Sequence, residues 1–107
     1  MTTQAVSYTS AGDHVAVITM NRAERMNRLD ADIVAGLEAA WQQFMDTDDD
    51  RVAVLAGDGK AFSAGADLKA IPHDLFRGIP SVGVAVDKPV VAAVQGWCVG
   101  GGMVLTT

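Results

Sequence analysis

The 107 residues are enough for one domain or for part of a larger one. Half of them are hydrophobic and 20% are charged, which is typical of a folded globular chain and excludes general disorder. The formal net charge of −5 argues against a nucleic-acid partner, because such surfaces are basic.

The chain begins with a predicted strand pair. His14 to Met20 is mostly apolar and β-branched, as strands are, and Ala5 to Tyr8 is its predicted partner across a turn at Gly12-Asp13. The polar segment 22–30 that follows is predicted to be a loop or a short helical turn. These residues predict a hairpin followed by an irregular connection.

A helix is predicted next, with Asp30 as its N-cap and its end near Asp46. Its apolar stripe consists of Ile33, Leu37, Ala40, Trp41, Phe44 and Met45. The acidic run Thr47 to Asp50 repels itself and opposes the negative end of the helix dipole. We therefore interpret that run as a solvated connection.

The second half of the chain contains two short apolar runs, Val52 to Ala56 and Val90 to Val94, which predict buried strands. Turn chemistry at residues 57–60 and a brief extension at 62–63 follow the first strand. Residues 73–87 have no period and are predicted to be a mobile connection. Because helices alternate with short apolar strands, we predict an α/β fold with parallel pairing.

Several kinds of site are disfavoured by the residues present. Cys98 is the single cysteine, which excludes an internal disulfide and fits a reducing, cytoplasmic location. His14 and His73 have no Cys/His cluster near them, so no metal site is predicted. The first 14 residues lack the features of a signal peptide. Residues 89–107 are uncharged, but their proline, glutamine and glycines favour a strand, a turn and the start of a buried helix over a membrane span.

Two glycine-rich segments carry the functional signal: AFSAGADL, from Ala61 to Leu68, and GWCVGGG, from Gly96 to Gly102. Neither has the spacing of a phosphate-binding or dinucleotide-binding motif. Each follows a predicted strand, and glycine lets the backbone approach a ligand closely. Two such turns can aim two backbone amides at one point, which is the geometry of an oxyanion hole.

These segments, together with NRAERMNRLD and DKPVVAAVQGWCVGGG, resemble the N-terminal half of the enoyl-CoA hydratase/isomerase (crotonase) family. The resemblance covers nearly the whole chain in the family's order. It implies crotonase-like ββα units of a spiral fold, so that residues 1–107 form the N-terminal part of one such domain. It also implies an acyl-CoA thioester as partner, with coenzyme A as part of the substrate and no separate cofactor, and a trimer-based homo-oligomer for the full-length family.

The resemblance implies specific site residues. The backbone amides of Ala66 and Gly101 would donate to the thioester oxygen, where negative charge develops. The positive end of the helix predicted after Gly101 would act on the same oxygen. The path of the substrate would be lined by Ala64, Gly65, Asp67, Leu68 and Gly100, and Arg25 resembles the basic residue near the coenzyme A phosphates. For Arg25 a solvated loop charge remains the alternative.

The chain also departs from the family pattern. Hydratases of the family carry a glutamate two residues after the glycine triplet, where this chain has Val104. Valine cannot transfer a proton, so hydration by the usual pair of carboxylates is in doubt. The family's other acid/base glutamate would lie beyond Thr107. The alternatives are therefore a family enzyme represented by its N-terminal part, and a non-catalytic relic or an acyl-CoA-binding or interaction fragment.

Other candidate residues favour structural roles. Asp67 is expected to cap a helix that starts at Leu68, rather than to act as a base. Ser63 has no histidine at an informative spacing, and Cys98 has apolar neighbours, so neither is predicted to be a nucleophile. Trp41 and Trp97 are predicted to pack in the core, with the border of an acyl pocket as the alternative for Trp97.

The 107-residue polypeptide is expected to be only marginally stable by itself. A helix that starts at Gly101 and stops at Thr107 is too short to be stable without packing, and parallel strands need cover on both faces. We expect the uncovered apolar surface to promote association or partial disorder. A sharp calorimetric unfolding transition of a monodisperse monomer would contradict this expectation.

Overall fold

The computed structural model describes residues 4–65, 75–81 and 83–98, with the backbone alone at Leu75 and Phe76. The elements in chain order are β1 (Val6–Gly12), β2 (Val15–Met20), a 3-10 turn (Ala23–Arg25), α1 (Ala31–Asp46), β3 (Val52–Gly57), β4 (Ala61–Ser63), a second 3-10 turn (Leu75–Gly78), β5 (Val90–Ala93) and β6 (Trp97–Cys98). The predicted helix from Leu68 and the one from Gly101 lie outside the described residues.

The strands form two sheets. The larger has the order β1-β2-β3-β5, in which β1 is antiparallel to β2 while β2, β3 and β5 are mutually parallel. The smaller sheet pairs β4 with β6 in parallel. The predicted α/β class with parallel pairing is confirmed, and the ββα order of β1, β2 and α1 starts the chain.

The first hairpin is longer than predicted, because β1 continues beyond Tyr8 to Gly12. Its turn uses three consecutive residues with positive φ, namely Gly12, Asp13 and His14. Glycine and aspartate tolerate this region better than most residues, which explains why the Gly-Asp pair marks the turn in the sequence.

Helix α1 confirms its predicted cap and its predicted end. The Asp30 carboxylate accepts a hydrogen bond from the Ile33 amide at 2.9 Å, and the helix ends at Asp46. Its buried side chains are those of the predicted stripe except Met45, which is half-buried, with Val34 in addition. They pack on one face of the large sheet, where the side chains of Ala16, Ile18 and Leu55 are fully buried. This contact is the core.

The segment predicted to be a mobile connection is packed where it is described. The Trp41 indole N–H donates to the Gly78 carbonyl at 2.8 Å, and Gly78 itself is buried. Ile79, Val84 and Val86 are partly buried against the core. The prediction was wrong for these residues because tertiary contacts with α1, rather than a local period, order them.

Strand β5 is less buried than its apolar sequence predicted. Its residues alternate between half-buried and exposed, and Val91 is 55% exposed. Val94 and Trp97 are also exposed, at 48% and 63%, so Trp97 does not pack in the core formed by the described residues, whereas Trp41 does. Val90 packs against the core, and Val91, the next residue of the strand, points to the opposite face of the large sheet, which α1 does not cover. The expected uncovered apolar surface is therefore present.

The acidic run after α1 is only partly solvated, because Asp50 is 3% exposed. Its carboxylate accepts hydrogen bonds from the hydroxyls of Tyr8 and Ser10, both at 2.6 Å. The Lys88 ammonium donates to the carbonyls of Phe44, Thr47 and Asp50 at 2.7, 3.0 and 2.8 Å. The interpretation of this run as a solvated connection was wrong at Asp50, which joins α1 to β1.

These contacts perturb both acidic groups. Hydrogen bonds from Ser10 and Tyr8 hold the pKa of Asp50 below its usual range, although burial acts in the opposite direction. Burial, followed by the hydrogen bond to Asp50, raises the pKa of Tyr8 to about 12. At neutral pH the pair therefore consists of a carboxylate and a neutral phenol, the combination in which the phenol donates.

We expect Asp50→Asn to lower the free energy of unfolding at pH 7 by about 2 kcal/mol, because two hydrogen bonds to a buried charge are weakened. A carboxyl with a depressed folded pKa stabilises the fold above its unfolded pKa, roughly pH 4, and this stabilisation is lost as pH falls through the folded pKa. Urea titrations at pH 7 and pH 3 should show a smaller acid-induced loss in the variant. Asp49→Asn is the control, because the Asp49 side chain is 90% exposed. An unchanged acid dependence in Asp50→Asn would contradict the assignment.

Candidate functional site

The two glycine-rich segments meet in the small sheet. Strand β4 of the first segment pairs in parallel with β6 of the second, with Ala61 opposite Trp97 and Ser63 opposite Cys98. Parallel strands leave a sheet at the same edge, so both segments continue from one edge. Ala66 and Gly101 follow Ser63 and Cys98 by three positions each. The two predicted amide-bearing turns therefore follow directly after neighbouring, parallel strands.

Gly96 allows this pairing. It has φ +59°, and a Cβ atom at this position would lie 1.8 Å from the Lys60 carbonyl oxygen. Beside it, the Gln95 side-chain amide donates to the carbonyls of Gly57 and Gly59, and the Gln95 carbonyl accepts from the Phe62 amide at 2.9 Å. Gln95, the residue before Gly96, is thus hydrogen-bonded to the end of β3, to the turn that follows it and to β4.

Asn27 fastens the loop between β2 and α1 to the same turn. It is fully buried in the left-handed conformation, with φ 51°. Its side-chain carbonyl accepts from the Arg22 amide at 2.8 Å, and its side-chain amide donates to the carbonyls of Asp58 and Ala61 at 2.9 and 3.0 Å. Every polar atom of this side chain is therefore bonded to backbone.

Ser63 connects that loop to the first glycine segment. Its buried hydroxyl donates to the Asn27 carbonyl at 2.8 Å and accepts from the Gly65 amide at 3.1 Å. The Ala64 amide donates to the Met26 carbonyl at 2.9 Å, and the Gly65 carbonyl accepts from the Leu29 amide at 2.7 Å. The amides of Ala64 and Gly65 are thus already engaged, and neither is a donor for a ligand oxygen.

The loop from Asn21 to Asp30 is locally basic in an acidic protein. It carries Arg22, Arg25 and Arg28 against Glu24 and the capping Asp30. The Arg25 guanidinium lies 3.5 Å from the Asp30 carboxylate and its side chain is 56% exposed. An exposed ion pair of this kind is weak, so the Arg25 side chain can turn towards an anionic ligand at little cost.

Three of the predicted site residues lie in the described structure: Arg25, Ala64 and Gly65. Gly65 is buried with φ 88°, a conformation that requires glycine, and Ala64 precedes it in the turn. The remaining predicted site residues, Ala66, Asp67, Leu68, Gly100 and Gly101, lie outside the described residues, as does Val104. The structure therefore describes the residues that precede the first predicted donor, and the two donors themselves stay predictions.

Over residues 10–107 the chain matches the sequence model of the family "Enoyl-CoA hydratase/isomerase". It belongs to the enoyl-CoA hydratase/isomerase family. Among curated relatives, it is 40% identical over 101 residues to the (E)-benzylidenesuccinyl-CoA hydratase of Thauera aromatica, an alignment that covers 85% of this chain and 40% of that protein. It is 37% identical over 109 residues to the mevalonyl-coenzyme A hydratase of Beauveria bassiana, covering 84% of this chain and 39% of that protein.

Solved structures of the enoyl-CoA hydratase/isomerase family share the fold. A carnitinyl-CoA dehydratase from Mycobacterium avium superposes with a TM-score of 0.81 at 34% identity, over 96% of this chain and 42% of that one. An enoyl-CoA hydratase from Mycobacterium tuberculosis gives a TM-score of 0.81 at 30% identity, over 96% and 42%. The chain spans about 40% of the length of the curated relatives it matches.

Two searches concern other kinds of site. Among the residues described, no group of three or more His, Cys, Asp or Glu side chains could hold a metal ion. Within the same residues, no helix is long and apolar enough to cross a membrane. Residues 89–107 were compared above with a membrane span. In the part of that segment that the structure describes, β5 and β6 are short strands.

The sequence analysis did not predict the contact between Asn27 and Ser63. Asn27 was considered only within a polar segment and its motif, and Ser63 as part of a brief extension and as a disfavoured nucleophile. One local signal was present for Asn27, because asparagine is among the few residues that adopt left-handed backbone readily. The Ser63 contact to Asn27 spans 36 positions and has no local signature.

The close approach at Gly96 predicts a large effect of Gly96→Ala. A non-glycine residue at positive φ costs about 1–2 kcal/mol, and the clash with the Lys60 carbonyl adds about 1–3 kcal/mol. Gly12→Ala is the matched control, since Gly12 has φ +88° and nothing within 4 Å of the added Cβ. Chemical denaturation should show the greater loss of stability for Gly96→Ala. Equal losses would mean that the contact with Lys60 is not constraining.

Proposed function

We propose that the chain supplies the thioester-binding half of an acyl-CoA site, in which the backbone amides of Ala66 and Gly101 donate to the thioester oxygen. The observation that carries the proposal is the parallel pairing of β4 with β6, from which both segments continue at one edge. Two amides that converge on an oxygen stabilise the negative charge that develops there during enolate formation. Membership of the enoyl-CoA hydratase/isomerase family supports the same assignment.

The contacts before Ala66 support that residue as the first donor. Gly65 donates to Ser63, and Ala64 donates to Met26, so both preceding amides are satisfied inside the protein. The donor for a ligand must then come later in the turn. Ala66 is the next residue, as the family resemblance also assigns it.

The coenzyme A part of the ligand would meet the basic loop. Arg25 is the proposed phosphate contact, with Ala64, Gly65, Asp67, Leu68 and Gly100 along the path of the pantetheine and adenine. The carboxylate of Asp30, which now pairs with Arg25 at 3.5 Å, also caps α1, so it stays satisfied when the arginine turns away. The relatives described above include two hydratases and a dehydratase of CoA compounds, which supports a CoA thioester as the ligand.

The proposed site indicates the class of ligand, but it does not distinguish between the reactions of the family. Enolate stabilisation serves hydratases, isomerases, dehydratases and hydrolases of the family alike. Val104 stands where the hydratases carry a glutamate, and these 107 residues do not include the family's other acid/base glutamate. We propose that the polypeptide binds acyl-CoA but does not hydrate enoyl-CoA by itself, since the side chain of Val104 cannot transfer a proton.

A second candidate function is an interaction fragment without catalysis. The observation that favours it is the exposed apolar surface at Val91, Val94 and Trp97. Exposed apolar patches of this kind are typical of surfaces that another polypeptide covers. An assay of CoA binding separates the two functions, because a fragment that serves only as an interaction surface has no affinity for the thioester.

Isothermal titration with CoA and with acetoacetyl-CoA, combined with a coupled hydration assay on short and long enoyl-CoA substrates, tests the proposal. We expect the 107-residue chain to bind both ligands, to bind the thioester more tightly, and to show no hydration above blank. Absence of binding to both ligands would refute the proposed site. Measurable hydration would refute the claim that the polypeptide is inactive alone.

The proposed phosphate contact is tested by Arg25→Gln. We expect about fivefold weaker CoA binding, roughly 1 kcal/mol, because one exposed charge interaction is lost, and the difference should shrink at high salt. Arg51→Gln is the control, since Arg51 is also exposed but lies immediately before β3, at the opposite end of that strand from the loop. Equal effects of the two substitutions would show only a general charge effect.

A further inference from the structure

We propose that Lys88 is a positioning residue that fixes the register of β5, and through β5 the place at which β6 pairs with β4. Its importance for the ligand site rests on the proposed function, which depends on that pairing. Lys88 lies two residues before β5, at the amino end of the strand, whereas Gly96 lies beyond its carboxyl end. Lys88 would act on the site only through the strand that follows it.

The side chains of β5 do little to fix its register. Every residue from Val90 to Val94 is valine or alanine, and among the described strands β5 pairs only with β3. Burial specifies a register where a slip would exchange apolar and polar side chains between two faces. A slip of β5 by one residue leaves apolar side chains on both faces, so burial alone does not exclude it. The observed register, with Val91 opposite Val54, therefore needs contacts outside the strand.

The Lys88 ammonium supplies such contacts at the amino end of β5. It donates to the carbonyls of Phe44, Thr47 and Asp50 at 2.7, 3.0 and 2.8 Å, which uses all three of its N–H donors. It also lies 4.8 Å from the centre of the Phe44 ring, within the range of a cation–π interaction. Because the acceptors belong to the last turn of α1 and to the connection that leads to β3, the ammonium is held against both.

These contacts define where β5 starts relative to β3. The residue after Lys88 is Pro89, whose carbonyl accepts from the Ala53 amide of β3 at 3.1 Å. A slip of one residue moves the backbone by about 3.3 Å along the strand. An ammonium bonded to three carbonyls does not follow the strand, so the slip either strains the lysine stem or breaks these bonds. Lys88 therefore opposes a slip in either direction.

The other end of β5 is held by Gln95 and Gly96. The Gln95 side-chain amide donates to the carbonyl of Gly57, the last residue of β3. In a slip of one residue, Gln95 or Trp97 would take the place of Gly96, where a Cβ atom would lie 1.8 Å from the Lys60 carbonyl oxygen. The strand is thus fixed by a cation before its start and by an amide and a glycine beyond its end.

The competing interpretation is that Gln95 and Gly96 fix the register alone, and that Lys88 only stabilises the end of α1. A cation at the carboxyl end of a helix has that effect whatever the register of a neighbouring strand. A stabilising role lowers the free energy of unfolding and leaves the register of the folded molecules unchanged. A positioning role changes the register itself, so a direct measurement of the register separates the two interpretations.

Disulfide formation in the 107-residue chain reports the register of β5. One reporter combines Val54→Cys with Val91→Cys, which are partners in the observed register, and the other combines Val54→Cys with Ala93→Cys, which is two residues further along β5. Both carry Cys98→Ser. Partners on neighbouring strands are about 5 Å apart and offset pairs about 8 Å, beyond the reach of about 7 Å for a disulfide.

The ratio of the two oxidation rates, measured by mass spectrometry, falls when β5 slips. A slip of one residue turns both cysteines of β5 to the other face of the sheet and slows the first reporter. A slip of two residues slows the first reporter and brings the cysteines of the second one together. The unsubstituted Lys88 chain should therefore oxidise the first reporter at least tenfold faster than the second.

We expect Lys88→Met, which keeps an unbranched side chain without the ammonium, to lower this ratio about fivefold. Lys88→Arg retains a cation with N–H donors and should keep the ratio within twofold. Lys60→Met is the matched control, since it removes the ammonium of an exposed lysine and should leave the ratio unchanged. Tyr8→Phe is the control for stability. It removes a hydrogen bond to Asp50, and should lower the urea midpoint without changing the ratio.

Lys88→Gln keeps two N–H donors without the charge and should give an intermediate ratio if Lys88→Met does not fold. An unchanged ratio in the folded Lys88 variants would overturn the positioning role, as would equal oxidation of the two reporters in the chain with Lys88. Unfolding of both variants would also count against it, because a positioning role predicts a folded chain in another register. The assay needs no ligand, so a chain that shows the expected ratios but binds neither CoA nor acetoacetyl-CoA would overturn the proposed function alone.

Discussion

The close contact between Gly96 and the Lys60 carbonyl sets how the two glycine-rich segments come together. A side chain at Gly96 would overlap the carbonyl oxygen, so only glycine lets β6 lie beside β4. The Gln95 side chain bonds the turn before β4, and its carbonyl accepts from Phe62. Because the pairing is parallel, both segments continue from one edge of the small sheet, and the proposed site depends on that edge.

Two buried polar side chains connect the first glycine-rich segment to the loop between β2 and α1. Asn27 and Ser63 are fully buried, and in the described residues no buried side-chain nitrogen or oxygen lacks a hydrogen-bond partner. A buried polar group without a partner costs more than a satisfied one contributes. Other arrangements of the loop and the turn would leave these buried groups without partners and are therefore disfavoured.

A second polar cluster, around the buried Asp50, lies at the other end of the parallel strands. Asp50, Tyr8 and Ser10 join the end of α1 to β1, and Lys88 bonds the last carbonyls of the helix. A cation at this end also interacts favourably with the helix dipole. The two clusters thus hold opposite ends of the parallel strands, one serving the core and the other the proposed thioester site. For that reason, substitutions in the Asp50 cluster are useful controls for substitutions at Asn27 and Ser63.

Local patterns in the sequence were enough for much of the fold. The Asp30 cap, the end of α1 at Asp46 and the turn at Gly12-Asp13 each depend on neighbours a few positions away, and each was predicted. The glycine-rich segments and the loop motif identified the enoyl-CoA hydratase/isomerase family, which the family match confirms. The positions of β2, β3 and β5 followed from short apolar runs in the same way, whereas β6 was not predicted.

What the tertiary structure decided depends on contacts between distant residues. Asp50 is buried because Tyr8, 42 positions earlier, donates to it, although its acidic neighbours predicted solvent. Val91 is exposed because α1 covers only one face of the large sheet, although its apolar character predicted burial. Ser63 holds Asn27 across 36 positions. The sequence by itself determined the family, α1 and most of the strands, since short-range chemistry encodes them, whereas the burial of single residues and the pairing of β4 with β6 follow from long-range packing that no local pattern contains.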